Sequence, residues 1–449
     1  LTIDSELQKE AVAQLRGRNG AVVVLNPQTG ELLAMYSNPS YSLREVQDGE
    51  AWIRLNANER DRPLVNRALR GRYIPGSTFK TAVMLAAFNH GLQGQKFNCS
   101  GAGFYAERGA RPVFDSGGTG EVHGQIGVDT ALEVSCNQYF AQMAIKLGPE
   151  KLAAELAKLG MSPVGSPQEA LGGGRQPEIW NVSVPAVARA LAPVDATVAL
   201  YPRERPYDLG LIGFGQGYAG QMTPFQMALV AAAVGNLEGK LMKPKIEYDR
   251  APEVWAQATA PQHAAEMRRI MGLVAGGSQG TATSVMAPVH AQGIITGGKT
   301  GTAEKQIPLY DPKTGEERKV KKVERDRRGN PIREYWETML DPEFRIDSWY
   351  ISIAPLDRPQ LAIAVIIEGG GYGAKAAAPV AAALILKARD LGLLGVPGTA
   401  APQQQPQGLP PQTTGQPQAT PRATPAARAT PAARATPAAR PRAGNQANQ

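Results

Sequence analysis

Pro75-Gly76-Ser77-Thr78-Phe79-Lys80, followed by the apolar run Thr81–Phe88, is the stretch on which the reading of this chain turns. Ser77 is the one serine of fifteen with a lysine three residues later. The apolar run predicts a buried helix beginning near Ser77. A serine in a first helical turn lies beside free backbone N–H groups and the positive end of the dipole, which suits developing negative charge. A lysine at i+3 shares the serine's face. Burial disfavours its ammonium form, so Lys80 gains the character of a base. By itself, Ser-x-x-Lys arises by chance about once in a chain of this size, and a plain capping serine would look the same.

Two further elements change that balance. Ser135-Cys136-Asn137 is the only Ser-x-Asn, 58 residues after Ser77, and Lys299-Thr300-Gly301-Thr302 follows much later. These three elements in this order form the signature set of penicillin-binding proteins and class A β-lactamases. A second Lys-Thr-Gly stands at Lys313-Thr314-Gly315. Lys299 follows the β-prone Gly293-Ile294-Ile295-Thr296, whereas Lys313 sits between Asp311-Pro312 and Glu316-Glu317, a solvated turn. The chemistry is assigned to Lys299.

Composition narrows the function classes. The 449 residues suit two to three domains or one elaborated domain. The net charge of +8 includes Arg422, Arg428, Arg434, Arg440 and Arg442 in an acid-free final stretch. Without those five the remainder carries +3, so a nucleic-acid partner is not expected. Cys99 and Cys136 could pair or stay free, and a small buried thiol is the simpler reading of Cys136. The four histidines, His90, His123, His263 and His290, show no metal-ligand spacing and suggest no Ser-His-Asp triad. No metal and no cofactor is expected. No apolar run reaches the length of a membrane span. The chain starts at Leu1 and shows no signal peptide, so an N-terminal portion carrying an anchor is expected to be missing.

Local signals predict the frame. Ser5-Glu6-Leu7-Gln8 reads as a capping box opening a helix to about Leu15. Ala21–Leu25 and Glu31–Tyr36 flank the turn at 26–30 as a hairpin. Thr223-Pro224-Phe225-Gln226 reads as another box, opening an alanine-rich buried helix to Val234. Trp349–Ile353 and Gln360–Glu368 form a second hairpin, and Ala376–Asp390 a closing helix. A helix–hairpin start, helical middle and hairpin–helix finish give an α/β domain over 1–395 with an antiparallel sheet, its chain ends meeting on one face.

Residues 305–346 hold eleven basic and nine acidic side chains and read as a surface insertion. The plain expectation is a mobile hairpin; the functional one is a lid or partner contact beside the Lys299 strand. From 396 to 449 the chain is rich in Pro, Ala, Gln, Thr and Arg, with Arg-Ala-Thr-Pro-Ala-Ala recurring at Arg422, Arg428 and Arg434. Such a composition predicts a disordered cationic tail, a spacer or a weak ligand for anionic envelope polymers.

Over roughly 1–395 the sequence resembles the transpeptidase domain of class B, monofunctional penicillin-binding proteins. Beyond the three elements, the likeness rests on Leu1-Thr2-Ile3-Asp4 with Leu7-Gln8, Gly20–Val24 with Thr29-Gly30-Glu31, and Asn66-Arg67-Ala68-Leu69. His123-Gly124, Gly215-Gln216-Gly217 with Thr223-Pro224, and Gly301-Thr302-Ala303-Glu304 complete it. The resemblance implies the penicillin-binding/serine β-lactamase-like fold: a five-stranded antiparallel sheet flanked by helices, plus an all-helical subdomain. It implies a Ser77 nucleophile attacking the D-Ala–D-Ala bond of a peptidoglycan stem peptide, with Lys80 taking its proton. Ser135 would pass a proton to the leaving amine and Asn137 would bind the substrate amide. Lys299, with Thr300 and Thr302, would meet the terminal carboxylate, and Gly301 would let the donor lie against the strand. The backbone N–H groups of Ser77 and Thr302 would form the oxyanion hole, worth roughly 3–4 kcal/mol per donor. β-Lactams would acylate the same serine. A membrane glycosyltransferase partner, and work on the outer face of the cytoplasmic membrane, are implied as well.

Two features depart from the family pattern. A second cysteine often stands before the His-Gly element, but Phe114-Asp115-Ser116 occupies that stretch, which puts a disulfide to Cys99 in doubt. The charged insertion is also longer than usual. The rival readings are a β-lactam hydrolase, which needs an extra water-activating base, a D,D-carboxypeptidase, and a non-catalytic sensor or scaffold.

Overall fold

In the computed structural model, residues 1–395 are described, except 117, 166–176, 201–204, 217–219, 305–317, 326–329 and 340–345. The backbone divides into Leu1–Thr399 and Ala400–Gln449, and the tail expected at 396–449 lies outside the described residues.

One five-stranded antiparallel sheet organises the first unit. Its order is Gly297–Glu304, Ile346–Ala354, Leu361–Ile367, Gly20–Leu25, Leu32–Asn38. The strands run Gly20↔Ile367 to Leu25↔Ala362 and Gly297↔Ile353 to Glu304↔Ile346 in register. Helices cover both faces, so Gly20–Leu25 and Leu361–Ile367 are buried at every position rather than alternately. The period of two still decides where each side chain goes. Ala21, Val23, Ala362, Ala364 and Ile366 enter one core with helices Lys80–Asn89 and Pro224–Gly235. Val22, Val24, Ile363 and Val365 enter another, with Leu7, Ala11 and Leu15 from the first helix and Leu384 and Ile385 from the last. The chain ends therefore share one face, as expected.

The opening cap differs from its expected form. Asp4, not Ser5, caps helix Ser5–Gln14, its Oδ1 accepting from the N–H groups of Glu6 (2.9 Å) and Leu7 (2.8 Å). Gln8 is thereby freed, and its amide exchanges two hydrogen bonds with the Met35 backbone (2.8 and 2.9 Å), fastening the helix to its strand. Thr223 does cap Pro224–Gly235 by accepting from Gln226 N–H (3.0 Å), but the Gln226 side chain turns to the Leu159 carbonyl instead of completing the box.

The region between the sheet-forming ends is mainly helical and carries short strands too. Phe97–Cys99 pairs with Gly124–Ile126, and Met161–Val164 runs parallel to Ala196–Ala199. Within the charged insertion, Lys319–Arg325 and Pro331–Thr338 pair antiparallel, the hairpin expected there. The second Lys-Thr-Gly, at Lys313, lies outside the described residues. No helix among the described residues is long and apolar enough to cross a membrane.

Candidate active site

The sheet edge formed by Gly297–Glu304 faces the segment that carries Ser77. Gly76–Phe79 is a 3-10 turn running into helix Lys80–Asn89. Gly76 has φ +54°, and a Cβ there would stand 2.7 Å from the Thr302 carbonyl oxygen, so only glycine brings the two backbones this close. Its N–H donates to the Gly215 carbonyl (2.9 Å), and Gln216 Nε2 donates to the Thr302 carbonyl (3.0 Å). Trp349, on the strand beside the edge, donates from Nε1 to the Ile74 carbonyl (3.0 Å) and meets Tyr73 edge-on. The nucleophile segment is thus seated on the sheet, with Ser77 half-buried at the surface of the seat.

Ser135 and Asn137 come from the junction of helices Val128–Glu133 and Asn137–Leu147. Helix Val128–Glu133 ends in a Schellman turn: Cys136 N–H donates to the Ala131 carbonyl (2.8 Å) and Ser135 N–H to the Leu132 carbonyl (3.2 Å). Ser135 takes the left-handed position, φ +62°, where glycine is usual. This turn aims both oxygens of Ser135 at Lys80, whose Nζ donates to the Ser135 carbonyl (2.6 Å), Ser135 Oγ (3.1 Å) and Asn137 Oδ1 (2.7 Å). Lys299 Nζ reaches the same Ser135 Oγ (2.8 Å) and its neighbour's carbonyl at Thr300 (3.1 Å).

Both lysines are fully buried. Burial pushes the Lys80 ammonium down to about 8, against the pull of Cys136 and Asp115. Lys299 is pushed well below the ordinary lysine range, first by burial and then by the charge of Lys80. Among the described residues no carboxylate forms an ion pair with either.

All five expected catalytic side chains come from three remote elements, and four of them are joined by hydrogen bonds. Ser77 stands apart: the bonds of Lys80 go to the Ser135–Asn137 turn, not to the Ser77 hydroxyl. Thr300 is buried, its Oγ1 2.7 Å from Thr281 Oγ1, while Thr302 lines the seam with Gly76. Gly301 also has a packing use that no sequence signal announced. A Cβ there would lie 2.8 Å from Trp349 Cβ and 2.9 Å from Thr78 Cγ2, so its bareness seats the Ser77 turn on the strand.

A second group of reactive side chains lies immediately behind the Ser135–Asn137 turn, and no sequence motif announced it. Asp115, His123 and Cys136 place one donor atom each within 4.8 Å of one another, a set able to hold a metal ion. Asp115 Oδ1 also accepts from the Asn137 N–H and, at 3.3 Å, the Gln138 N–H. Cys99 and Cys136, whose pairing the sequence left open, are free thiols with their sulfurs 2.9 Å apart. Burial, Cys99 and Asp115 push the Cys136 thiol far up. A separate cleft, lined by Arg268, Ile294, Leu356 and Arg389, contains none of these residues.

Comparison with known proteins agrees with this geometry. The family described as Penicillin binding protein transpeptidase domain matches residues 20–386. The peptidoglycan D,D-transpeptidase MrdA of Acinetobacter baumannii is 27% identical over 394 residues, 84% of this chain and 52% of the relative. The peptidoglycan D,D-transpeptidase PbpA of Mycolicibacterium smegmatis is 29% identical, over 82% of this chain and 67% of its own. The chain spans about half the length of the MrdA relatives from A. baumannii and Haemophilus influenzae. Among solved structures, penicillin-binding protein A from M. tuberculosis, as a ceftriaxone acyl-enzyme complex, superposes with TM-score 0.65 at 25% identity, covering 86% of this chain and 79% of that one. Pseudomonas aeruginosa PBP2 in complex with WCK 5153 gives 0.62 at 26% identity, covering 86% and 77%. With a family match across most of its length and the three elements drawn to one sheet edge, this chain belongs to the penicillin-binding protein transpeptidase family.

Proposed function

We propose that this chain is a serine-type D,D-transpeptidase that cross-links peptidoglycan stem peptides and is acylated by β-lactams. The observation that carries the reading is the meeting of two buried lysines, neither in an ion pair with a carboxylate among the described residues, at Ser135 Oγ, near a half-buried serine on the turn beside the sheet edge. Ser77 Oγ attacks the carbonyl between the two D-alanines, and Lys80, with its ammonium destabilised by burial, takes the proton. The oxyanion enters the N–H groups of Ser77 and Thr302. Ser135 passes a proton to the departing D-alanine amine, and Asn137 Nδ2, anchored on the Phe114 carbonyl (2.9 Å), holds the amide face of the turn. Lys299 lacks a counter-charge in the free site, and the donor's terminal carboxylate supplies one. The amine of a second stem peptide then resolves the acyl-enzyme. Thr300, Gly301 and Thr302 form the strand edge along which the donor lies.

This chemistry belongs outside the cytoplasmic membrane. There, we infer, a membrane glycosyltransferase supplies glycan strands and a segment preceding Leu1 anchors the domain. The mass of the intact protein after benzylpenicillin treatment tests the reading. A single adduct located on Ser77, persisting for many minutes and absent from Ser77→Ala, is expected. Rapid loss of the adduct with turnover of a chromogenic cephalosporin would replace the transpeptidase by a hydrolase.

A further inference from the structure

The cleft that holds none of the reacting side chains has the build of a second binding site. Its volume is about 860 Å³, within the range of small-ligand sites. It lies between helix Pro261–Gly276, the segment leading into strand Gly297–Glu304, and the turn after Ile346–Ala354. We propose that it takes up one monocarboxylate amphiphile, its acid head on Arg268 and its hydrocarbon body on Ile294, Ile295, Leu356 and Leu394.

Arg268 sets the charge of the ligand. It is 7% exposed, and its Nη1 donates to the carbonyls of Val234 and Asn236 (both 3.1 Å), capping the end of helix Pro224–Gly235. Among the described residues, Nε and Nη2 have no hydrogen-bond partner and no carboxylate pairs with the guanidinium. A cation taken out of water is costly without a counter-charge, and the cleft is the opening that this side chain lines. A carboxylate matches both the single charge and the fork of the guanidinium. The other arginines of the lining are already matched: Arg269 by Asp129 and Glu266, Arg389 by Asp390, and Arg358 by Asp357. They leave the specific contact to Arg268.

The opposite wall calls for hydrocarbon. Ile294 is buried, Ile295 is exposed, and Leu356 and Leu394 are partly buried against the two cores. A bare ion would leave that surface wet. Leu356 N–H donates to the Ile295 carbonyl (2.8 Å), and a Cβ on Gly297 would stand 2.9 Å from Leu356 Cδ1. The cleft is therefore at the root of the strand that carries Lys299. Because the guanidinium is recessed rather than displayed, the ligand it fits is a single molecule and not the head groups of a flat bilayer.

Calorimetric titration of the full chain with decanoate, below its micelle concentration, tests this without reference to transpeptidase activity. One equivalent per chain is expected. Decanol, which keeps the body without the charge, should bind about tenfold more weakly, and butyrate, which keeps the head alone, should not saturate. Arg268→Gln retains a donor for the helix cap and should lose about tenfold for decanoate while leaving decanol unchanged. Ile295→Asp, at an exposed position, puts a like charge in the cleft and should also weaken decanoate; it decides the matter should Arg268→Gln not fold. No uptake of decanoate removes the site. Equal affinity for decanol and decanoate makes it an apolar crevice without charge preference, and full affinity in Arg268→Gln reduces Arg268 to a helix cap. Several equivalents in place of one mean adsorption to the surface. Anionic vesicles that hold the parent but release Arg268→Gln would replace the single molecule by a membrane.

Discussion

Lys80 and Lys299 donate to the same atom, Ser135 Oγ, at 3.1 and 2.8 Å. Two ammonium groups cannot both be comfortable there, since each is fully buried and repels the other. The hydroxyl relieves the conflict only while one of them is neutral. In the proposed mechanism, the lysine that a substrate anion reaches stays cationic and the other serves as base.

The pH dependence of acylation follows. Lys80 ionises near 8 in the folded chain, against 10.5 ordinarily, so its basic form is scarce at low pH. The neutral fraction falls roughly fivefold from pH 8 to 7 and roughly ninefold from pH 7 to 6. The second-order rate of penicillin acylation should therefore rise through pH 6 and 7 and level off above about 8. A rate that stays flat from pH 6 to 9 would take Lys80 out of the base role.

Ser135 separates strain from chemistry. At φ +62° its Cβ carries a left-handed penalty of about 1–2 kcal/mol that glycine does not. Both Ser135→Gly and Ser135→Ala should lose penicillin acylation, since each removes the oxygen shared by the lysines. In urea unfolding, Gly should prove more stable than Ala by about 1 kcal/mol. An Ala variant equal to Gly would show that the turn relaxes out of the left-handed region.

Gly301→Ala probes the seat of the nucleophile. The added methyl would press on Trp349 Cβ and Thr78 Cγ2, and overpacking of this kind costs about 1–3 kcal/mol. Acylation by a fluorescent penicillin should slow in step with the loss of stability, because the displaced element is the Ser77 turn itself. Full stability with full activity would mean that strand and turn separate freely.

Arg67 should matter more for folding than any surface pair. It is 4% exposed, with Nε on Glu368 Oε1 (2.9 Å) and Nη1 on the Arg62 carbonyl (3.2 Å), and Tyr73 donates to the same Glu368 oxygen (2.6 Å). Arg67→Ala leaves that carboxylate buried with one partner fewer, a loss of about 3–5 kcal/mol by chemical denaturation. Arg269→Ala, whose partners Glu266 and Asp129 are half-exposed, should cost under about 1 kcal/mol.

Sequence legibility followed the range of the forces involved. The helix that follows Ser77, the 26–30 turn and the two hairpins depend on spacing and turn chemistry within a few residues, and each stands where it was expected. Asp4 rather than Ser5 caps the first helix, and Gln8 instead pairs with Met35, a contact 27 residues away that no local pattern records. The packing role of Gly301 was not legible, because Trp349 and Thr78, which a Cβ there would meet, stand far from it in the chain. The left-handed Ser135 was invisible because a Schellman turn usually announces itself with glycine. The Asp115, His123 and Cys136 group spans 22 positions across a loop and a helix cap, without the short intervals that mark metal motifs.

The first and last helices lie side by side over one face of the sheet, and this has a practical consequence for cutting or fusing the protein. A fragment begun after Gln14 or stopped before Gly373 would bare Val22, Val24, Ile363 and Val365 as an oily sheet surface prone to clumping. Domain boundaries drawn for expression must therefore keep both ends, however far each stands from the serine.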